Sequence, residues 1–232
     1  MERLDKALVS TGRWSRREAK ELIRTGRVCV DGVLTKRCED KISLRASVTV
    51  DGESLVHSQK TYLMLHKPAG LLSATEDPRQ PTVLDLLPPH LQKLGLFPVG
   101  RLDKDTEGLL LLTDDGALAH RLLSPKKHVD KVYFVQVDGI LNEEDAAVFR
   151  AGMVLGDGLH CLPADLTVLD PPQQGLVTLR EGKFHQVKRM LACRGKPVTY
   201  LKRLSMGGLT LDPSLTPGQW RPLSPSELSL IW

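Results

Sequence analysis

The chain has 232 residues, 41% hydrophobic and 26% charged, enough apolar material for one large domain or for a small and a medium one. Only 4% are aromatic, so the core is expected to be mainly Leu and Val. The net charge of +4 permits a polyanionic partner, and the lack of any apolar run long enough to span a bilayer excludes a membrane helix.

The four cysteines, Cys29, Cys38, Cys161 and Cys193, form no C-x-x-C pair and no Cys/His spacing of the kind that holds zinc. They read as free thiols in a reducing compartment. Met1 is followed at once by Glu2 and Arg3, which predicts no signal segment and a cytoplasmic protein.

Residues 1–58 read as a small basic module. Arg3 to Val9 predicts a short helix with Leu4 and Leu8 on one face, stopped at Gly12. Ser15-Arg16-Arg17-Glu18 is a capping box that opens a helix burying Ala19, Leu22 and Ile23, with Gly26 as its C-terminal stop. Arg16, Lys20, Arg24 and Arg27 recur three or four residues apart and form a ridge flanked by Arg13 and Arg17. Residues 1–27 hold eight Lys and Arg against four Asp and Glu, an excess equal to that of the whole chain. Such a face is commonly just solvated; clustered on one short helix, together with Arg3, it predicts a surface that tracks phosphates. Two Asp-Gly hairpins follow, at Asp31-Gly32 and Asp51-Gly52, the second closing at Val56. The polar stretch from Ser54 to Lys60 is the expected linker to a second domain, 59–232.

Thr61 to His66 predicts a strand stopped by Lys67-Pro68-Ala69-Gly70 and resumed at Leu71 to Ala74. A short helix with Val83, Leu86 and Leu87 is expected from Thr82 to Pro88-Pro89. Gly100-Arg101-Leu102-Asp103 then feeds into Leu109 to Leu112, an apolar run that reads as a buried strand. A loop mounted on such a strand is a rigid carrier for functional side chains. Arg101, two residues from Asp103, would keep that carboxylate ionised; the alternative is a structural ion pair that closes the loop.

Helices are expected at 117–123, broken at Ser124-Pro125, and at 142–150 with Asn142 as cap. Strands are expected at 130–137, 164–169 and 175–180. Lys126-Lys127-His128 forms a second basic patch. Val187, Met190 and Leu191 form the buried face of a helix that ends at Gly195, so Lys188 and Arg189 point elsewhere. Two cations in a first helical turn oppose the dipole, a local conflict that hints at function. The tail from Leu201 reads as short strands, Pro-rich turns and a last helix begun by Ser224-Pro225-Ser226-Glu227. There is no Gly-x-x-x-x-Gly-Lys loop for nucleotide hydrolysis and no Gly-x-Ser-x-Gly elbow.

The N-terminal motifs Arg-Leu-Asp-Lys, Ser-Arg-Arg-Glu-Ala and Val-Asp-Gly resemble the alpha-L RNA-binding domain of ribosomal protein S-four type. Gly100-Arg101-Leu102-Asp103 with Thr106 and Gly108 resembles the signature of RNA pseudouridine synthases. His66-Lys67-Pro68-x-Gly70, Lys131-x-Tyr133 and Gly182 to Met190 fall in that family's order, and His185-Gln186-Val187-Lys188-Arg189-Met190 is most similar to its RsuA branch. Lys183 and Phe184 depart from the Arg and Tyr common there.

The resemblance implies an α+β fold: a small alpha-L domain, then a mostly antiparallel mixed-sheet domain with a central cleft. It implies Asp103 as catalytic carboxylate, Tyr133 as active-site tyrosine and Lys188 as the basic partner of Asp103, making one charge-assisted bond. RNA contacts are expected from Arg3, Arg16, Arg17, Lys20, Arg24, Arg27, Lys67, Arg101 and Arg189. No cofactor is implied. The substrate implied is uridine 516 of 16S ribosomal RNA, free or in an assembling small subunit, handled by a monomer with no membrane partner. Asp103 would assist cleavage of the base–ribose bond, by attack at the sugar or by proton removal from it. Tyr133 would serve as base or as stacking platform. Competing readings are a synthase acting on large-subunit 23S RNA and a non-catalytic rRNA-binding assembly factor.

Overall fold

The computed structural model describes residues 2–11, 13–43, 46–55, 60–124 and 127–231. The expected stop at Gly12, Val56, most of the 54–60 linker, Pro125 and Lys126 lie outside the described residues. The chain divides into two compact units, Met1–Thr61 with Pro88–Leu96, and Tyr62–Leu87 with Phe97–Trp232.

The first unit runs β1 (Glu2–Arg3), α1 (Leu4–Ser10), α2 (Arg16–Arg24), β2 (Val28–Val30), β3 (Val33–Thr35), β4 (Lys41–Ile42), β5 (Val48–Val50) and β6 (Glu53–Leu55), with α3 (Pro89–Gln92). The Ser15 capping box is formed: the Glu18 amide donates to the Ser15 hydroxyl, and the Ser15 amide donates to the Glu18 carboxylate. β2, β3, β5 and β6 make a four-stranded sheet in the order β3-β2-β5-β6. Both of its Asp-Gly turns have positive φ at each residue, 49° and 80° then 53° and 82°, the type I′ pattern that a tight hairpin demands. Leu4, Leu8, Ala19, Leu22, Ile23, Val28, Val48 and Val50 fill its core.

The second unit runs β7 (Tyr62–Lys67), a 3-10 turn (Val83–Leu86), β8 (Phe97–Pro98), β9 (Glu107–Thr113), α4 (Gly116–Leu123), β10 (Lys131–Val137), α5 (Glu143–Ala151), β11 (Met153–Val154), β12 (His160–Cys161), β13 (Asp165–Val168), β14 (Gln174–Leu179), α6 (Gln186–Cys193), β15 (Val198–Met206), β16 (Leu209–Thr210), β17 (Trp220–Pro222) and α7 (Pro225–Ser229). Its nine-stranded sheet has the order β13-β14-β10-β15-β9-β7-β17, with β8 added on β9 and β16 on β15. All its pairs among the described residues are antiparallel except β15 with β9. At that parallel seam Arg203 lies opposite Gly108. From Gly108 to Thr113, β9 is buried on both faces, which is why its sequence is continuously apolar rather than alternating.

Four local expectations are corrected. Lys67 ends β7 rather than stopping it, and is buried. Residues 71–74 make a single bridge, Leu72 to Thr82, and no strand. The helix from Thr82 is one 3-10 turn, and Pro89 begins α3 instead of ending a helix, because a first-turn proline has no amide to lose. The tail holds the nine-residue β15, at the centre of the sheet.

Candidate active site

Asp103 sits in the loop between β8 and β9, and that loop is tied down from beneath. The Lys67 ammonium, fully buried, donates to the carbonyls of Pro68, Asp103, Lys104 and Thr106 at 3.0, 3.1, 3.2 and 2.8 Å. Burial pulls Lys67 down to about 8, against the attraction of Asp105, Asp103 and Glu107. The Ser73 hydroxyl donates to the Leu102 carbonyl at 2.9 Å and accepts from the Leu102 amide at 3.1 Å. The Thr106 amide closes a turn onto the Asp103 carbonyl. Every one of these bonds holds backbone, so the Asp103 side chain is left free to face outward.

It faces a cleft of about 900 Å³, room enough for a nucleotide. Among the lining side chains, six are cations (Arg101, Lys104, Lys131, Arg180, Lys183 and Arg203) and two are carboxylates (Asp103 and Glu181). The Asp103 side chain is a quarter exposed. Two side-chain nitrogens at the start of α6 approach it: Lys188 Nζ at 3.4 Å and His185 Nε2 at 3.5 Å. The lysine's hydrogen bond goes to Asp105 instead, at 2.5 Å. That bond holds the Asp105 carboxyl below its usual range.

The position of α6 follows from its own sequence and from α5. Gln186, Val187, Met190 and Leu191 are buried, which turns Lys188 toward the loop of Asp103. At the other end, Arg194 donates to the buried Asp145 at 2.9 Å, and Lys196 pairs with the same carboxylate. Burial would raise Asp145, but these two cations and the Asn142 amide hold it low.

Tyr133 and Lys131 lie two residues apart on β10, on one face of the sheet, and both line the cleft. Tyr133 lies opposite Arg203 of β15. Arg203 is 2% exposed; its Nε donates to the Leu109 carbonyl at 2.8 Å, and its Nη2 has no hydrogen-bond partner among the described residues. Lys131 donates to the Val129 carbonyl at 3.1 Å, and burial, then Arg203, lower its pKa.

Asp103, Tyr133 and Lys188 are therefore brought together. Other expectations change. Arg101 lines the cleft but forms no ion pair with Asp103; residues two apart on a loop need not converge, and the cation near that carboxylate is Lys188 of α6. The expected Lys188–Asp103 hydrogen bond is replaced by the one to Asp105. Lys67 is walled off from RNA by its own four carbonyls. Arg189 pairs with Asp157 at 2.5 Å, Arg3 with Asp5 at 2.8 Å, and Arg27 with Asp51, so these three charges are engaged within the protein. Arg16, Arg17, Lys20 and Arg24 are exposed and have no ion pair with a described residue. Sequence reasoning places His185 and Lys131 in motifs without giving either a role at Asp103, and does not single out Arg203. For His185 the available signal was its place beside Lys188 in one motif.

Among the described residues there is no cluster of three or more His, Cys, Asp or Glu suited to a metal, and no helix long and apolar enough to cross a membrane. Residues 61–193 match the family model for RNA pseudouridylate synthase, and residues 2–42 that for the S4 domain. An RNA pseudouridine synthase of Bacillus subtilis, YtzG, described as uncharacterized, is 47% identical over 99% of this chain and 98% of its own. The ribosomal small subunit pseudouridine synthases A of Pseudomonas aeruginosa and Escherichia coli K12 are 42% and 40% identical, each over 99% of this chain and 100% and 99% of their own. A crystal structure of a pseudouridylate synthase superposes with a TM-score of 0.71 at 36% identity, covering the whole of both chains. The chain is an RsuA-like member of the RNA pseudouridine synthase family, an isomerase with an N-terminal S4 domain.

Proposed function

We propose that this enzyme converts one uridine of 16S ribosomal RNA, uridine 516, to pseudouridine in the cytoplasm, with Asp103 as its catalytic carboxylate. The observation that carries the assignment is Asp103 itself: a partly exposed carboxylate between Lys188 and His185, in a nucleotide-sized cleft whose charged lining residues are six cations against two carboxylates. The small-subunit target is supported by full-length relatives whose names specify the ribosomal small subunit. Residues 1–58 would grip the RNA and residues 59–232 carry out the chemistry.

A uridine inside a helix is unreachable, so the target leaves its stack and enters the cleft. Cations on the walls hold the adjoining phosphates. Ionised Asp103 assists rupture of the bond between uracil N1 and ribose C1′, by attack at C1′ or by proton removal from the sugar. The free uracil turns and C5 bonds to C1′, displacing Asp103 from C1′ in the first route, or with Asp103 returning the sugar's proton in the second. The proton on C5 leaves, to Tyr133 or to water, while N1 gains one. Atoms and electrons balance as an isomerisation, with no oxidant or cofactor consumed. Lys188 at 3.4 Å and His185 at 3.5 Å flank the carboxylate and fix its place beside the sugar.

The test is to map pseudouridine in ribosomal RNA from cells lacking the protein. Loss at a single 16S position is expected; loss in 23S RNA alone would overturn the target. Purified Asp103→Asn is expected to bind RNA and yield no pseudouridine, and product formation by it would overturn the catalytic assignment.

A further inference from the structure

At the mouth of the cleft the structure holds one aromatic ring out in water. Phe184 is 72% exposed. Its ring lies flat on that of His185, with centroids 3.8 Å apart and planes 17° from parallel. His185 is in turn 3.5 Å from Asp103, so the two rings continue outward from the proposed catalytic carboxylate, and both line the cleft.

An exposed apolar side chain needs no explanation when it stands alone on a mobile surface. This one is fixed in place. His185 has φ +48°, a left-handed conformation that non-glycine residues rarely adopt, and it is this bend that turns the two rings toward the loop of Asp103. The buried Gln186 carboxamide accepts from the Lys183 amide at 3.0 Å and donates to Glu181 at 2.7 Å. Thus a strained residue and a satisfied buried amide hold an apolar ring with one face on His185 and the other open to water. Strain and rigidity of this kind make sense where the ring's free face is covered by a ligand.

The chemistry of that ligand follows from the surroundings. The outer face of Phe184 is a flat π surface beside a cleft rich in cations, which suits a nucleobase attached to phosphates. We infer that Phe184, backed by His185, is the platform on which the base next to the extruded uridine stacks, filling the gap left in the RNA. This rests on the reading of the cleft as the uridine site. Phe184 acts here as a positioning residue: it keeps the RNA open while Asp103 works.

The experiment begins with unmodified rRNA transcripts, in which the site converted by the wild-type full chain is mapped first, so that an error in the proposed target appears at this step and does not affect the rest. An iodinated pyrimidine is then placed beside the mapped uridine and irradiated in complexes with wild type and with Asp103→Asn. The expected cross-link is to Phe184 in both. Phe184→Leu, which retains an apolar side chain but no π face, is expected to lose the cross-link and about 5- to 150-fold in kcat/KM, the range for one base–aromatic stack. Its thermal midpoint should be unchanged, because the ring is exposed, and Phe184→Trp should restore activity. A cross-link mapping elsewhere, or Phe184→Leu within about twofold of wild type, overturns the platform. Product formation by Asp103→Asn would instead overturn the reading of the cleft.

Discussion

Gly108 lies against the backbone of Arg203 with no space between them. A Cβ at Gly108 would overlap the Arg203 carbonyl and amide, and the glycine's φ is +107°. This is the parallel seam of the sheet, two residues beyond the loop that carries Asp103 and next to the strand partner of Tyr133. Gly108→Ala must therefore part the seam and strain the backbone together. We expect it to destabilise the fold by about 2–5 kcal/mol and to inactivate whatever protein remains folded. Thermal unfolding checks this; a midpoint equal to that of wild type would show that the seam can yield.

Lys188 is closer to Asp105 than to Asp103, 2.5 Å against 3.4 Å. Asp105 thus holds the ammonium slightly away from the proposed catalytic carboxylate. Asp103→Asn is expected to lower kcat by at least about 10³-fold. Asp105→Asn frees Lys188 to bond Asp103 directly and should leave kcat within about tenfold of wild type. Single-turnover assays on RNA separate the two; equal losses would show that Asp105 shares in the chemistry.

Much of this arrangement was legible in the sequence, and the exceptions have physical causes. The buried run Leu109 to Leu112 and the caps at Ser15, Asn142 and Ser224 are local signals, and local signals survive folding. β15 was hidden because Tyr200, Lys202 and Arg203 interrupt its apolar residues. Those polar groups find partners or a cleft only once the sheet exists, as when Tyr200 donates to Glu107 at 2.7 Å. Lys67 read as part of a turn because a lysine at a strand end normally reaches solvent; its four carbonyl partners include three from a loop nearly forty residues away. The proximity of His185 to Asp103 depends on one left-handed residue, which no periodicity reveals.

The acidity of Lys67 gives a pH dependence with opposite signs for stability and activity. Its folded pKa, about 8, is below the ordinary 10.5. Between those values the unfolded chain retains a proton that the folded chain has released, so this group's contribution to stability rises with pH through the window, by up to about 3 kcal/mol. Below pH 8 the charged form is buried and that gain is absent. Activity should move the other way. A neutral amine has two N–H groups where the ammonium has three for its four carbonyls, so the Asp103 loop loosens and kcat/KM falls with a midpoint near pH 8. In denaturant titrations the stability of wild type relative to Lys67→Met should increase from pH 8 to 10. A constant difference would remove Lys67 as the source.

The basic helix of the first unit offers a test in which charges that look alike in sequence should behave differently. Arg16, Lys20 and Arg24 are exposed and have no ion pair with a described residue, whereas Arg27 is forked onto Asp51. Only an unengaged cation releases a counterion in exchange for a phosphate. Replacing Arg16, Lys20 and Arg24 by Gln should therefore weaken RNA binding and reduce the slope of log K against log salt by about 2 to 3. Arg27→Gln should leave that slope near its wild-type value and instead loosen the Asp51-Gly52 hairpin, seen as a lower thermal midpoint. Filter binding across a salt series measures both variants. A triple variant with an unchanged slope would mean that the RNA is held by another face of the protein.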